Sequence, residues 1–253
     1  MRVTRLIPSP VRARLKEALR RRAVRHALRP LRSNGTLTPP EIANFARAWG
    51  NTGFAPDKDY LAQLLKLLDR GPVLECGSGG TTLLANELGT LRGYETFSLE
   101  QDAYWAEPAK LALRGSPSTT LLTTPLRSYG GYQWYDVPEP EALPKHFALI
   151  ICDGPYIDRR LGEPFFSAWR YGVLPWLHEH GRTFDTLLLD DVDDPRAPPV
   201  LDRWRKEFGV ELHRIRSEAG EIAIVTSASQ RCWEGKNPQY SPDPTVRGVR
   251  PQS

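Results

Sequence analysis

From about residue 70 to residue 228, short continuous apolar runs alternate with longer segments in which apolar residues recur every three or four positions. Short apolar runs bounded by turn residues predict buried strands, and the three-to-four spacing predicts amphipathic helices. The predicted strands are PVLECG, YETFSLE, STTLLTTP, FALIICDGP, DTLLLDD, VELHRIRS and EIAIVTSA. The predicted helices between them are TTLLANELG, AYWAEPAKLALRG, PFFSAWRYGVLPWLHEHG, which Pro175 should kink or split, and APPVLDRWRKEFG.

Alternation of strands and helices predicts a parallel sheet whose two faces are both covered. The last two strands are separated only by EAGE, and so short a connection requires them to be antiparallel to each other. We therefore predict an α/β protein with a Rossmann-like open, mostly parallel sheet, helices on both faces and an antiparallel C-terminal strand.

Further segments flank this alternating region. EIANFARAWG predicts a helix with Pro40 in its first turn, and DYLAQLLKLLD predicts a second helix capped by Asp59. The polar, proline-rich end of the chain has no apolar periodicity and is predicted to be disordered. The predicted divisions are a basic arm (1–32), N-terminal helices (33–70), a core (71–228) and a tail (229–253).

Charge is distributed unevenly along the chain. The net charge is +4, but residues 1–32 contain eleven Arg or Lys residues and a single acid, Glu17. The arm therefore carries a charge of about +10 and the remainder is mildly acidic. Such an arm is a solvated helix, a disordered leader, or a contact surface for nucleic acid, an anionic membrane surface or an acidic partner.

Composition narrows the class of protein. Without a run of about 18 apolar residues, no transmembrane helix is expected. The three cysteines, Cys76, Cys152 and Cys232, are odd in number and far apart, which fits neither a disulfide framework nor a zinc cluster. We expect a cytoplasmic protein.

The stretch VLECGSGGTT, residues 73–82, carries the first chemical signal. It forms the first strand-to-helix turn of the predicted sheet, where ligands of open α/β sheets bind. Gly77, Gly79 and Gly80 would allow a sharp turn and close approach of a ligand, and Thr81 enters a helix whose first amides point outward. A dinucleotide fingerprint requires a third glycine where Thr82 stands. An adenosyl group, which has no phosphate to cradle, fits this turn better.

Acidic residues follow several of the predicted strands. Glu100 ends the second strand, 23 residues after Gly77, where a carboxylate can accept both hydroxyls of a ribose. Asp153 follows the strand that ends in CDGP, and Asp190 and Asp191 follow LLLDD. The alternatives are that Glu100 is a solvated acid and that the Asp pair only begins a polar turn.

Together, VLECGSGGTT, Glu100, IICDGP, LLLDD and the closing hairpin resemble the class I S-adenosylmethionine-dependent methyltransferases over about residues 60–228. The resemblance implies that Glu75 orients the loop or faces the methionine ammonium, that Glu100 holds the ribose, and that Gln101 and Leu126 border the adenine. The residues assigned to the cofactor are Glu75, Gly77, Ser78, Gly79, Gly80, Thr81, Glu100, Gln101, Leu126 and Asp153.

The resemblance also implies the reaction, which is transfer of a methyl group from S-adenosyl-L-methionine to an acceptor, with a small-molecule hydroxyl favoured. Asp153 and Asp191 are the candidate general bases. The set Asp153, Asp190 and Asp191 is similar to the acids of catechol-type, metal-dependent O-methyltransferases, which would add Mg²⁺; a metal-free site is the alternative. Tyr132, Trp134 and Tyr135 could form an aromatic wall for a flat ligand.

Three other functions remain open at this point. A nicotinamide-dependent oxidoreductase would use the same sheet, although the third glycine is missing. A non-catalytic nucleotide-sensing protein could bind nucleic acid through its basic arm, and an RNA methyltransferase would combine that arm with catalysis.

Overall fold

The computed structural model describes residues 9–50, 57–113, 115–156, 170–217 and 220–227, with side chains described from residue 15 onward. The sequence-predicted tail, 229–253, lies outside the described residues. The helices are α1 (Ser9–Ala27), α2 (Arg29–Asn34), α3 (Pro39–Trp49), α4 (Lys58–Leu67), α5 (Gly80–Arg92), α6 (Ala103–Leu113), α7 (Val173–Glu179) and α8 (Ala197–Phe208). The strands are β1 (Val73–Cys76), β2 (Thr96–Glu100), β3 (Thr119–Thr123), β4 (Leu126–Ser128), β5 (Gln133–Tyr135), β6 (His146–Cys152), β7 (Thr183–Leu189), β8 (Val210–Arg216) and β9 (Glu221–Ser227).

Seven of the strands form one sheet in the order β3-β2-β1-β6-β7-β9-β8. The five strands from β3 to β7 in this order are parallel, and β9 pairs antiparallel with both β7 and β8. The predicted Rossmann-like sheet and its antiparallel C-terminal strand are therefore confirmed.

The strand order determines where a ligand can bind. Strand β1 lies between β2 and β6, so the chain reverses its direction of progress across the sheet at β1, and such a switch point opens a crevice at the carboxyl ends of the strands. In the register, Cys76 is paired with Leu99 on one side and Cys152 on the other, and Cys152 is paired with Leu189. The residues that follow these strands therefore emerge side by side at one edge.

Both faces of the sheet are buried because alternate strand residues point to opposite sides. On one face, Leu74 and Ile150 pack in a core with residues of α7, α8 and the β4–β5 hairpin. On the other face, Val73 and Ile151 pack in a core with residues of α1 to α5. Val24 of α1 is 4% exposed within that second core, so the basic helix is packed on the domain.

Three local features differ from the sequence predictions. The cap of α4 is Asp57, whose Oδ1 accepts hydrogen bonds from the N–H groups of Asp59 and Tyr60 at 2.5 and 2.8 Å, and not Asp59. The described helix α7 begins at Val173, so Pro175 lies in its first turn, where no intrahelical N–H is needed, and the part of the predicted helix before residue 170 lies outside the described residues. Strands β4 and β5 form a hairpin for which no strands were predicted, because three-residue strands are too short to show periodicity.

Within the part of the chain that the structure describes, none of the helices has the length and apolar content needed to span a bilayer.

Candidate functional site

Gly77 is the first residue beyond β1, and its conformation is set by a neighbouring loop. Its φ is +94°, and its N–H donates to the carbonyl of Leu99 at 2.9 Å. A Cβ at this position would lie 2.9 Å from the nitrogen of Gly154, and a Cβ on Gly154 would lie 2.9 Å from the Cα of Gly77. Because neither glycine has a side chain, the loops after β1 and β6 can cross in contact. Gly77 is therefore required for the packing of these two loops against each other.

Gly79 and Gly80, which follow in the same loop, differ from each other. A Cβ on Gly79 would meet no atom of the described protein within 4 Å, and its φ of −179° is extended backbone. A Cβ on Gly80 would lie 3.4 Å from the Trp49 ring, because α3 packs on the start of α5. Of the two positions, only Gly79 borders open space that a ligand can use.

Glu75 is fully buried on β1 and organises the loop from beneath. Its two carboxylate oxygens accept hydrogen bonds from the hydroxyls of Thr81 (2.5 Å), Thr82 (2.6 Å) and Ser98 (2.6 Å). Burial raises the pKa of Glu75 to about 7, while these three hydroxyls oppose the rise. The geometry thus gives Glu75 the loop-orienting role, one of the two that the sequence left open.

The raised pKa of Glu75 gives the free energy of unfolding a pH dependence. The folded protein holds this proton up to about pH 7, whereas the unfolded chain releases it near pH 4.5. Stability from this group is complete below pH 4.5 and falls by about 3 kcal/mol as the pH rises through 7. Urea denaturation at several pH values should show this fall in the unmodified protein and a flatter profile in Glu75→Gln. Equal slopes for the two proteins would contradict the assignment.

Glu100, at the end of β2, reaches across to the loop after β1. Its side chain is largely buried at 5% exposure, and its Oε2 accepts from the N–H and hydroxyl of Ser78 at 2.9 and 3.0 Å. Its Oε1 accepts from the N–H of Asp102 at 3.0 Å. The carboxylate is thus held in one orientation at the rim of the glycine loop.

Gln101 follows Glu100 and bridges two strand ends across the crevice. Its Nε2 donates to the carbonyl of Tyr156, beyond β6, at 2.7 Å, and its Oε1 is buried without a partner among the described residues. Leu126, the other residue assigned to the adenine, is half-buried, pairs with Tyr135 in the β4–β5 hairpin and packs on the core. These contacts place Gln101 at the crevice, whereas the role of Leu126, two residues beyond Thr124 whose N–H donates to the carbonyl of Glu100, stays a prediction.

The acids beyond β6 and β7 meet around a basic residue that the sequence analysis did not single out. One Nη of Arg170 lies 3.1 Å from Asp153 Oδ1 and 2.6 Å from Asp191 Oδ2. The other Nη donates to the backbone carbonyl of Asp190. The Arg170 side chain is 5% exposed, so this is a largely buried cation clamped by two carboxylates.

Arg170 also argues against the hypothesis of a Mg²⁺ site at Asp153, Asp190 and Asp191. No group of three or more His, Cys, Asp or Glu side chains among the described residues is arranged to hold a metal ion. One carboxylate oxygen each of Asp153 and Asp191 already faces the guanidinium, and a second cation there would be repelled. The Mg²⁺ hypothesis is therefore not supported.

The clamp is held in an unusual backbone conformation. Arg170 and Asp191 have φ values of +47° and +54°, and in the described chain they are the two non-glycine residues with positive φ. Each such conformation costs about 1–3 kcal/mol and persists where surrounding structure enforces it, often at functional sites. Both ends of one ion pair therefore carry this cost at the ligand edge of the sheet.

Burial governs the protonation of the acids in this cluster. Burial raises the pKa of Asp153. The positive charge of Arg170 lowers this pKa, and the negative charge of Asp191 raises it. Burial also raises the pKa of Asp190 well above its usual range, and the charges of Asp153 and Asp191 add to this effect. Asp153 thus gains basicity from burial while the neighbouring guanidinium favours its charged form.

Tyr60 of α4 is a further residue that the sequence analysis missed. It is fully buried, and its hydroxyl has no hydrogen-bond partner among the described residues. Burial raises its pKa well above the ordinary value, and the charges of Asp190 and Asp153 raise it further. The Tyr60 hydroxyl is thus a buried polar group on which the charges of these acids act. The sequence shows only an apolar helix face at this position, so no pattern could have identified it.

The predicted aromatic wall does not line the open crevice. Tyr132 is 3% exposed and Trp134 and Tyr135 are fully buried, all within the core on one face of the sheet. The Tyr135 hydroxyl lies against Gly154 and, among the described residues, has no partner. These rings therefore support the loop crossing from below.

No protein-family model and no curated protein matches this sequence. Among solved structures, it is similar to the N-terminal domain of human METTL16 in complex with SAH, at 15% identity and a TM-score of 0.48, over 75% of this chain and 82% of that one. It is similar to a putative O-methyltransferase from Klebsiella pneumoniae, at 18% identity and a TM-score of 0.44, over 89% and 93% of the two chains. It is also similar to the SAH-bound Podospora anserina methyltransferase PaMTH1, at 12% identity and a TM-score of 0.49, over 88% and 99%.

Likenesses this distant leave the function to be decided by the residues of this chain. The seven-stranded sheet with its antiparallel β9 is the architecture that the resemblance to class I methyltransferases implies.

Proposed function

We propose that this protein is an S-adenosyl-L-methionine-dependent methyltransferase acting on a small-molecule hydroxyl. The observation that carries the proposal is the pairing of Glu100 with the Ser78 backbone beside the open space at Gly79. A carboxylate held at the rim of a glycine turn, at a topological switch point, is well placed to bind a ribose. The adenine base and the methionine chain of the cofactor would then extend to either side of that ribose.

The residues present fit an adenosyl cofactor. Glu100 would accept hydrogen bonds from the ribose hydroxyls, and the extended backbone at Gly79 would lie against the ligand. The unpartnered Oε1 of Gln101 would accept from a polar edge of the adenine. Glu75, bonded to Thr81 and Thr82, keeps the loop in shape without touching the ligand. When bound, S-adenosyl-L-methionine supplies a methyl group on a positively charged sulfur that is already activated for transfer.

The other half of the crevice supplies the acid–base chemistry. Asp153 follows β6 next to the glycine crossing and would take the proton of an acceptor hydroxyl, a contribution of about 10²–10⁴-fold when the hydroxyl is poorly ionised. Arg170 would hold Asp153 and Asp191 in fixed orientations.

Binding of the cofactor tests the proposal directly. Calorimetric titration should give micromolar-range affinity for S-adenosylmethionine or its demethylated product and no measurable affinity for NAD. Glu100→Ala should weaken binding by at least about 100-fold, because charged hydrogen bonds to two hydroxyls contribute roughly 1.5–3 kcal/mol each.

The matched control is Glu107→Ala, which removes an exposed acid of α6 whose ion pair is with Lys110. Its affinity should equal that of the unmodified protein. Tighter binding of NAD than of S-adenosylmethionine would instead establish the oxidoreductase alternative, and absence of binding to either would refute the proposal.

A further inference from the structure

A groove of about 520 Å³ runs between α1, α5 and α6, on the helical layer beside the sheet. Its floor is apolar, formed by side chains that include Val24, Leu28, Leu83 and Leu111. Volumes of this size, about 300–1,000 Å³, are typical of small-molecule sites with mostly apolar walls.

Arginines form the rim of the groove, and their charge exceeds that of the acids around them. Arg20, Arg21, Arg25 and Arg32 line it, together with a single acid, Glu87. Arg32 is fully engaged by Glu87, with N–O distances of 2.5 and 2.6 Å.

The remaining rim arginines are only partly neutralised. One carboxylate, Glu17, serves both Arg20 at 2.9 Å and Arg21 at 3.9 Å. Arg25 has no ion pair among the described residues and is exposed. Arg21 and Arg25 lie four residues apart and so share one face of α1. The rim therefore presents unneutralised positive charge above an apolar floor.

The groove is separate from the proposed cofactor crevice. Of the crevice residues Glu100, Gln101, Asp153 and Arg170, none lines it. Trp49 lines the groove and lies against Gly80, so it separates the groove from the glycine loop.

We infer that this groove is a second binding site, for a single-chain anionic amphiphile: an alkyl or acyl chain that carries a phosphate or carboxylate head. The chain would cover Leu83, Leu111 and the other floor residues, and the head would pair with Arg21 and Arg25. A nucleic-acid strand is disfavoured because it stacks successive bases on several aromatic side chains, whereas among the described residues Trp49 is the one aromatic residue that lines the groove.

Binding of dodecyl phosphate to the full-length chain, below its micelle concentration, tests this inference. The rim and the floor are probed by Arg25→Glu and by Ala112→Trp, which fills the groove from an exposed position of α6. Arg25→Glu should weaken binding at least tenfold, because loss of a charged hydrogen bond costs about 1.5–3 kcal/mol. Ala112→Trp should also weaken binding at least tenfold, because its ring would occupy the space of the alkyl chain. Arg205→Glu, an equal charge reversal at an exposed α8 residue that does not line the groove, should leave the affinity within about twofold.

Two ligand controls separate the parts of the amphiphile. Inorganic phosphate and dodecanol should each bind much more weakly than dodecyl phosphate, since inorganic phosphate lacks the alkyl chain and dodecanol lacks the charged head. Equal binding of inorganic phosphate, or full affinity in Ala112→Trp, would overturn the inference. Arg25-dependent binding of a 12-nucleotide RNA, without binding of dodecyl phosphate, would assign the groove to nucleic acid instead.

The outcome does not depend on the proposed catalytic function. S-Adenosylmethionine affinity, measured on the same variants, should be unchanged because their side chains do not reach the crevice. Loss of amphiphile binding with retained cofactor binding therefore reports on the groove alone.

Discussion

Replacing Gly79 by valine is expected to abolish S-adenosylmethionine binding while leaving the fold intact. The new side chain would enter the open space beside the loop, where no described protein atom lies within 4 Å and where the cofactor is proposed to lie. The φ of −179° is accessible to valine, so the change imposes no left-handed strain. We expect at least a 100-fold loss of affinity by calorimetry, equivalent to about 3 kcal/mol, with an unchanged melting temperature.

Gly131→Val is the matched control. This glycine, in the turn between β4 and β5, also has open space around it and no positive φ. Its cofactor affinity should match that of the unmodified protein. If Gly79→Val bound S-adenosylmethionine normally, the space beside the loop would not be the cofactor site. A large fall in its melting temperature would instead reveal a packing role for Gly79.

Replacing Arg170 by methionine is expected to produce the largest loss of stability. The change removes the cation from Asp153, whose side chain is 29% exposed, and from Asp191, which is 59% exposed. We therefore expect a loss of about 2–3 kcal/mol, below the roughly 3–5 kcal/mol that is typical when a fully buried pair is broken. Urea denaturation at pH 7 measures the loss. Because Arg170 lowers the pKa of Asp153, its removal raises that pKa further above the unfolded value. The deficit should therefore grow as the pH rises and shrink as it falls towards 4.

Two comparisons distinguish the clamp from an ordinary ion pair. Arg214→Met breaks an exposed pair with Glu221 and should cost less than about 1 kcal/mol. Adding Asp191→Asn to Arg170→Met should restore part of the stability, since it removes one of the unpaired charges. A loss below 1 kcal/mol for Arg170→Met, or no recovery in the double variant, would show that the clamp is not a buried charge network.

A fixed guanidinium between two acids changes how the crevice can work. In metal-dependent chemistry a bound cation neutralises the acids and depends on metal supply. Here Arg170 supplies the positive charge from the chain itself, and it is always protonated. If the proposed reaction is correct, turnover should be insensitive to chelators, and the pH dependence should follow Asp153 and its neighbours.

The sequence by itself determined the layers of the fold and identified the glycine loop after β1 as the candidate binding loop. Alternating apolar runs and helical periods are local signals, and they sufficed for a parallel sheet with an antiparallel end. The spacing from Gly77 to Glu100 also reflects local structure, because one strand, one helix and one turn separate consecutive strand ends in such a sheet. That is why Glu100 could be assigned to the glycine loop before any contact was known.

Only the tertiary structure decided which groups meet. Gly77 requires its conformation because Gly154, 77 residues later, lies against it, and no local pattern encodes that contact. Arg170 occupies the centre of the acids, and Tyr60 reaches them from another helix layer, since packing of distant segments brings these residues to one strand edge. Local periodicity records which face of an element is buried, whereas the partners of a buried charge depend on the three-dimensional arrangement of the whole chain.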